Sequence, residues 1–133
     1  LHLIPGDTVD IEIEDPKKYE EVIEKLFAKK KIDGVLATNE LSAITAMKVA
    51  QNNGLSIPKD ISVIGFSNGI LSRHSNPKLT TVSQHAELMG ETATHMLIDA
   101  IEKNNPNYSS LTKVIKTTLV ERESTKQLVK FKK

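Results

Sequence analysis

Short apolar runs alternate along this chain with longer stretches whose apolar residues recur every three or four positions. The first run, Val9-Asp10-Ile11-Glu12-Ile13, alternates with period two and predicts a strand. Asp15 then offers a helix N-cap, and Pro16 suits the first helical position. Tyr19, Val22, Ile23, Leu26 and Phe27 follow on one helical stripe. Val35-Leu36-Ala37 predicts a short buried strand, and Asn39 caps a helix whose inner face carries Ile44, Met47 and Ala50 and which Gly54 ends. After the turn Ile57-Pro58-Lys59-Asp60 comes Ile61-Ser62-Val63-Ile64-Gly65-Phe66, β-branched and nearly all apolar, the composition of a central parallel strand. Leu79-Thr80-Thr81-Val82 predicts a further strand. A helix from about Ala86 to Lys103 turns Met89, Met96, Leu97, Ala100 and Ile101 inward. Asn104 to Ser110 is a polar loop, and Val114 to Glu121 is a last strand at a sheet edge.

Strands alternating with helices give an α/β fold, a doubly wound, mainly parallel sheet with helices on both faces. Residues 1–126 form one lobe, and 127–133 are a tail. Ligands in such sheets bind beyond the carboxyl ends of the strands. Glu14, Thr38-Asn39, Ser67-Asn68 and Ser83-Gln84 all fall at such ends.

Composition narrows the function. With 133 residues, 38% hydrophobic and 26% charged, the chain can bury a core, and its net charge of +1 gives no field that would draw nucleic acid. It has no cysteine, so disulfide and thiolate chemistry are excluded. No segment approaches the ~18 apolar residues of a membrane span. No glycine-rich phosphate loop occurs, and His2, His74, His85 and His95 lack zinc-motif spacing; no cofactor and no metal is expected. Leu1-His2-Leu3-Ile4-Pro5 reads as mid-chain, which makes the sequence a fragment.

Two motifs carry candidate chemistry. Asn39, at a strand–helix junction, offers donors and an acceptor to a hydroxyl-rich ligand, or serves only as a cap. Gly65-Phe66-Ser67-Asn68-Gly69 matches the G-x-S-x-G nucleophile elbow. Glu87 or Glu91 followed by His95 would complete a triad in order, yet all three lie on one predicted helix, and no oxyanion segment is present. An enzyme is therefore not expected.

From Asp33 to Thr125 the chain resembles the C-terminal lobe of the effector-binding core of LacI-family transcription regulators. The resemblance rests on blocks in register: Asp33 to Glu40; Gly54-Leu55-Ser56-Ile57-Pro58-Lys59-Asp60-Ile61-Ser62-Val63-Ile64-Gly65-Phe66; Pro77-Lys78-Leu79-Thr80-Thr81-Val82-Ser83-Gln84; and Leu119 to Thr125, with its Arg-x-Ser-Thr ending. It implies a periplasmic-binding-protein-like lobe of a cytoplasmic homodimer. A small effector, a sugar or related metabolite, would bind in a cleft between lobes and be coupled to DNA through a helix-turn-helix region that this chain lacks. The alternative is a lobe of a transport-type sugar-binding protein. By matching positions, Asn39, Ser67, Asn68 and Gln84 would meet the effector, with Ile13 and Glu14 after the first strand. Ser67 departs from the family's usual aspartate at that position, which puts the effector class in question. The helix holding Ile44 and Met47 would contribute to the dimer face.

Overall fold

A computed structural model of the chain describes residues 15, 18–29, 32–102 and 111–126. The strand predicted over Val9–Ile13, the loop 104–110 and the tail 127–133 lie outside them. In chain order the elements are α1 (Tyr19–Lys29), β1 (Gly34–Leu36), α2 (Glu40–Asn52), β2 (Ser62–Ser67), α3 (Ile70–His74), β3 (Thr80–Ser83), α4 (Ala86–Glu102) and β4 (Thr118–Val120). The strands form one sheet in the order β1-β2-β3-β4. β1, β2 and β3 are parallel, with Val35 opposite Val63 and Gly65 opposite Thr81. β4 closes the edge antiparallel to β3, with Val82 opposite Leu119. This is the mainly parallel α/β sheet that the alternation predicts.

α2 organises the lobe. Asn39 caps it, its Oδ1 accepting the Ser42 N–H at 2.9 Å. Its other end closes in a Schellman motif: the Gly54 N–H donates to the Gln51 carbonyl and the Leu55 N–H to the Ala50 carbonyl, each at 2.9 Å. Gly54 supplies the left-handed φ of 77° that this motif needs. Small residues let the helix sit between two surfaces. Ala43 and Met47 face the sheet and pack with Ala37, Val63 and Leu79. Ala46 and Val49 meet Ile23 of α1, with Tyr19, Phe27 and Val35 around them. Lys48 fastens the same two helices by bonding both carboxylate oxygens of Glu20, at 2.9 and 3.0 Å. Gly65 permits the close approach to the sheet. A Cβ there would come 2.7 Å from Leu79 Cδ2 and 3.2 Å from Ala43 Cβ. The opposite sheet face is far less covered: Ile64, Phe66 and Val82 are half-buried, and Leu36 is 72% exposed.

The structure corrects three expectations. α4 does have an apolar stripe, but not one of its residues is buried. Leu97 is 62% and Ile101 67% exposed, Met89 is exposed as well, and Met96 and Ala100 are only half-buried. Periodicity shows that a stripe needs a partner without saying where the partner is. α4 follows β3, and among the described residues Lys113 and Ile115 line a shallow groove with its Met89, Thr92, Ala93 and Met96. Second, Met47 is 2% exposed within the core, and Ile44 packs on the same cluster. The sheet covers Met47, so in this lobe it serves the core and not an open surface. Third, the last strand is confined to Thr118–Val120, although it takes the edge position expected.

Candidate functional site

Because β1, β2 and β3 run parallel and adjacent, the turns that follow them open on the same edge of the sheet. Asn39, Asn68 and Gln84 stand in those turns, and Ser67 is the last residue of β2. Ile13 and Glu14 lie outside the described residues. Asn39 spends its Oδ1 on the cap, while its Nδ2 has no partner among the described residues and can donate outward. Ser67 is exposed and Gln84 half-buried, and neither side chain has a hydrogen-bond partner among the described residues.

The backbone at this edge is unusual. Ser67 (φ 97°), Asn68 (φ 58°) and His85 (φ 53°) all lie in the left-handed region, and they are the non-glycine residues that do so among those described. Each such residue costs roughly 1–2 kcal/mol, less for asparagine, and strain of this kind collects at functional sites. The Asn68 N–H is held by Thr81 Oγ1 at 3.3 Å, and the His85 ring nitrogen Nε2 pairs with Thr118 Oγ1 at 3.1 Å.

Two residues that the motif reading did not single out shape the edge. Glu40 opens α2 and extends its carboxylate over the β2–α3 turn, where a Cβ on Gly69 would lie 2.6 Å from Oε2. Its Oε1 is buried with no hydrogen-bond partner among the described residues, an acceptor left open. Arg122, two residues beyond β4, reaches back under the β2 turn. Nη2 donates to Asn68 Oδ1 at 2.6 Å, and Nη1 to the Leu79 carbonyl at 2.8 Å and to Ser72 Oγ at 3.3 Å. The rest of the Arg-x-Ser-Thr segment is structural. Ser124, fully buried, accepts the Thr80 N–H at 2.8 Å and donates to the Val63 carbonyl at 2.6 Å, which joins β2 to β3. Sequence could flag Arg122 only as part of a family block; its reach back to Asn68 needs the fold.

The G-x-S-x-G match does place Ser67 at the very end of a strand, with a left-handed φ of 97°. No described histidine or carboxylate is bonded to its hydroxyl. His95 instead lies 4.0 Å from Glu91 on the outer surface of α4, with both side chains largely exposed. Among the described residues no group of three or more metal-ligating side chains forms, and no helix is long and apolar enough to cross a membrane.

Comparison with known proteins supplies the lineage. The periplasmic binding protein-like domain family matches residues 5–125. The HTH-type transcriptional regulator MalR of Clostridium butyricum is 37% identical over 106 residues, 80% of this chain and 31% of that protein. The HTH-type transcriptional repressor PurR of Erwinia tasmaniensis is 36% identical over 122 residues, 92% of this chain and 34% of the repressor. The solved LacI family transcriptional regulator from Arthrobacter sp. FB24 in complex with lactose superposes with a TM-score of 0.77 at 28% identity, over 85% of this chain and 43% of that one. The chain thus spans about a third of the length of these two curated relatives. Fold, matched span and relatives agree: the chain is similar to LacI-family transcription regulators, and it belongs to the periplasmic binding protein-like domain family.

Proposed function

We propose that this lobe supplies half of the effector site of a LacI-type transcription regulator and that the effector is a sugar or related small metabolite. The observation that carries the reading is the gathering of uncommitted groups on one strand-end edge: Asn39 Nδ2, the Ser67 hydroxyl and the Gln84 amide. They offer neutral donors and acceptors, the chemistry that hydroxyl-rich ligands require. The lactose-bound relative supports the same class.

A second lobe, outside this chain, closes over the edge and covers the apolar stripe of α4. The chain acts on DNA only through a separate helix-turn-helix region, in a cytoplasmic homodimer, and catalyses no reaction. Effector binding then works as a population shift, because the closed arrangement holds the ligand better than the open one. Ser67 gives a neutral hydrogen bond where an aspartate would give a charge-assisted one of roughly twice the strength. Replacement by aspartate is therefore expected to tighten binding of a polyol.

The test is an NMR titration of the chain with lactose, ribose and cellobiose at millimolar concentration. Amide shifts of Asn39, Ser67, Asn68 and Gln84 should move while those of Ile23 and Val49 stay fixed, and Ser67→Asp should strengthen the response. Shifts spread evenly over the lobe, or none at this edge with any sugar, would count against the reading.

A further inference from the structure

We infer that Arg122 is a positioning residue for the effector site: its guanidinium holds the Ser67-Asn68 turn in its left-handed shape without itself meeting the ligand. The inference rests on the proposed site being an effector site, but its physical core can be tested separately.

Ser67 and Asn68 are consecutive left-handed residues with no glycine between them, a pairing that local preference opposes. Something must over-determine the turn for it to persist. The backbone link is slight, since the Asn68 N–H reaches Thr81 Oγ1 only at 3.3 Å. Arg122 provides the rest. Its planar fork contacts Asn68 Oδ1 at 2.6 Å and, through its other nitrogen, the Leu79 carbonyl and Ser72 Oγ. Ser72 is fully buried and donates onward to the Gly69 carbonyl at 2.8 Å. Both sides of the turn are thereby bound to one cation.

No carboxylate pairs with Arg122 among the described residues: its acceptors are an amide, a carbonyl and a hydroxyl. The charge strengthens each of those bonds, which is its use here. Lysine, a single point of donation, cannot span the three acceptors. The Arg122 backbone is itself fixed, with its N–H on Thr80 Oγ1 at 2.9 Å. Arg122 also lies two residues beyond β4, so the site turn is tied to the strand that returns from α4. Asn68 Oδ1 is thereby taken, while its Nδ2 has no partner among the described residues.

Hydrogen exchange on the chain, read by NMR, tests this. Arg122→Met should raise exchange of the Asn68 N–H at least tenfold, while the Ala37 N–H, bonded to the Ile64 carbonyl, changes less than twofold. Arg122→Lys should give a smaller rise in the same place, and it serves as the reporter if the methionine variant does not fold. The deciding measurement is the cycle with Asn68→Gly. Glycine adopts the left-handed shape unaided, so in that background Arg122→Met should change exchange at position 68 by less than about threefold. The idea is overturned if exchange rises equally at Ala37, if it does not rise at Asn68, or if the rise is as large in the glycine background. Silence in the sugar titration alongside a positive cycle would sink the effector reading and leave the lock standing.

Discussion

α2 and α4 begin alike and end in opposite conditions. Each follows a parallel strand after a short polar turn, and each carries an apolar stripe. α2 buries Ala43, Ala46, Met47, Val49 and Ala50, whereas α4, longer at 17 residues, buries none. The difference lies in where the chain goes next. α2 connects neighbouring strands, so the short crossover folds it onto the sheet. α4 connects β3 to its antiparallel neighbour β4 by a long excursion, which lets it stand away from the lobe. Side-chain size follows suit: alanines bring α2 close to Gly65, while α4 presents Met89, Leu97, Ile98 and Ile101 to open space. Burying a large aliphatic side chain is worth roughly 1.5–3 kcal/mol, so α4 holds unused stabilisation that a covering surface would release.

Truncation on either side of that divide should separate the two regions most clearly. Leu79→Ala, at a fully buried position between β3 and α2, is expected to cost about 2–5 kcal/mol in urea unfolding. A loss below 1 kcal/mol would mean that the core beneath α2 is looser than it looks. Gly65→Ala should cost about 1–3 kcal/mol by pressing a methyl on Leu79 and Ala43, and a double change with Leu79→Val should recover part of it. Asn39→Ala removes the cap of α2 and should cost about 1 kcal/mol; Asn39→Asp should keep that stability and lose only the amide donor, which separates the cap from the site.

On the other helix the expectation reverses. Leu97→Ala and Ile101→Ala should each change the unfolding free energy by less than about 0.5 kcal/mol, since neither side chain is buried in this chain. Larger losses would show that α4 has a covering surface within the chain. The smallest effect concerns Glu21 on α1, whose carboxyl is held below the ordinary value of 4.5 first by the hydrogen bond from Lys25 and then by its charge. A depressed pKa contributes stability above 4.5, and the contribution is lost as pH falls through the lowered value. Both partners are largely exposed, so Glu21→Gln should lower the thermal midpoint only marginally at neutral pH, with the difference vanishing in acid.

Much of this was readable from local pattern. The caps of α2, the largely apolar β2 and the edge position of the last strand depend on neighbours in sequence, and strand-end geometry then selected Asn39, Ser67, Asn68 and Gln84 as candidates. Met47 shows the limit: one residue suited both a core and an interface, and only the packing of α2 on the sheet placed it in the core. Arg122 bonds Asn68 and the Glu40 carboxylate lies over Gly69, each far along the chain, and no local signal announces such approaches.

The sequence by itself determined the elements, the parallel sheet and the family, because periodicity, turn chemistry and motif blocks are properties of short segments. The tertiary structure alone decided which stripe is covered, which residues brace the Ser67-Asn68 turn, and that α4 stands uncovered. Those outcomes depend on which surfaces meet in space, and a hydrophobic stripe specifies the need for a partner without specifying the partner.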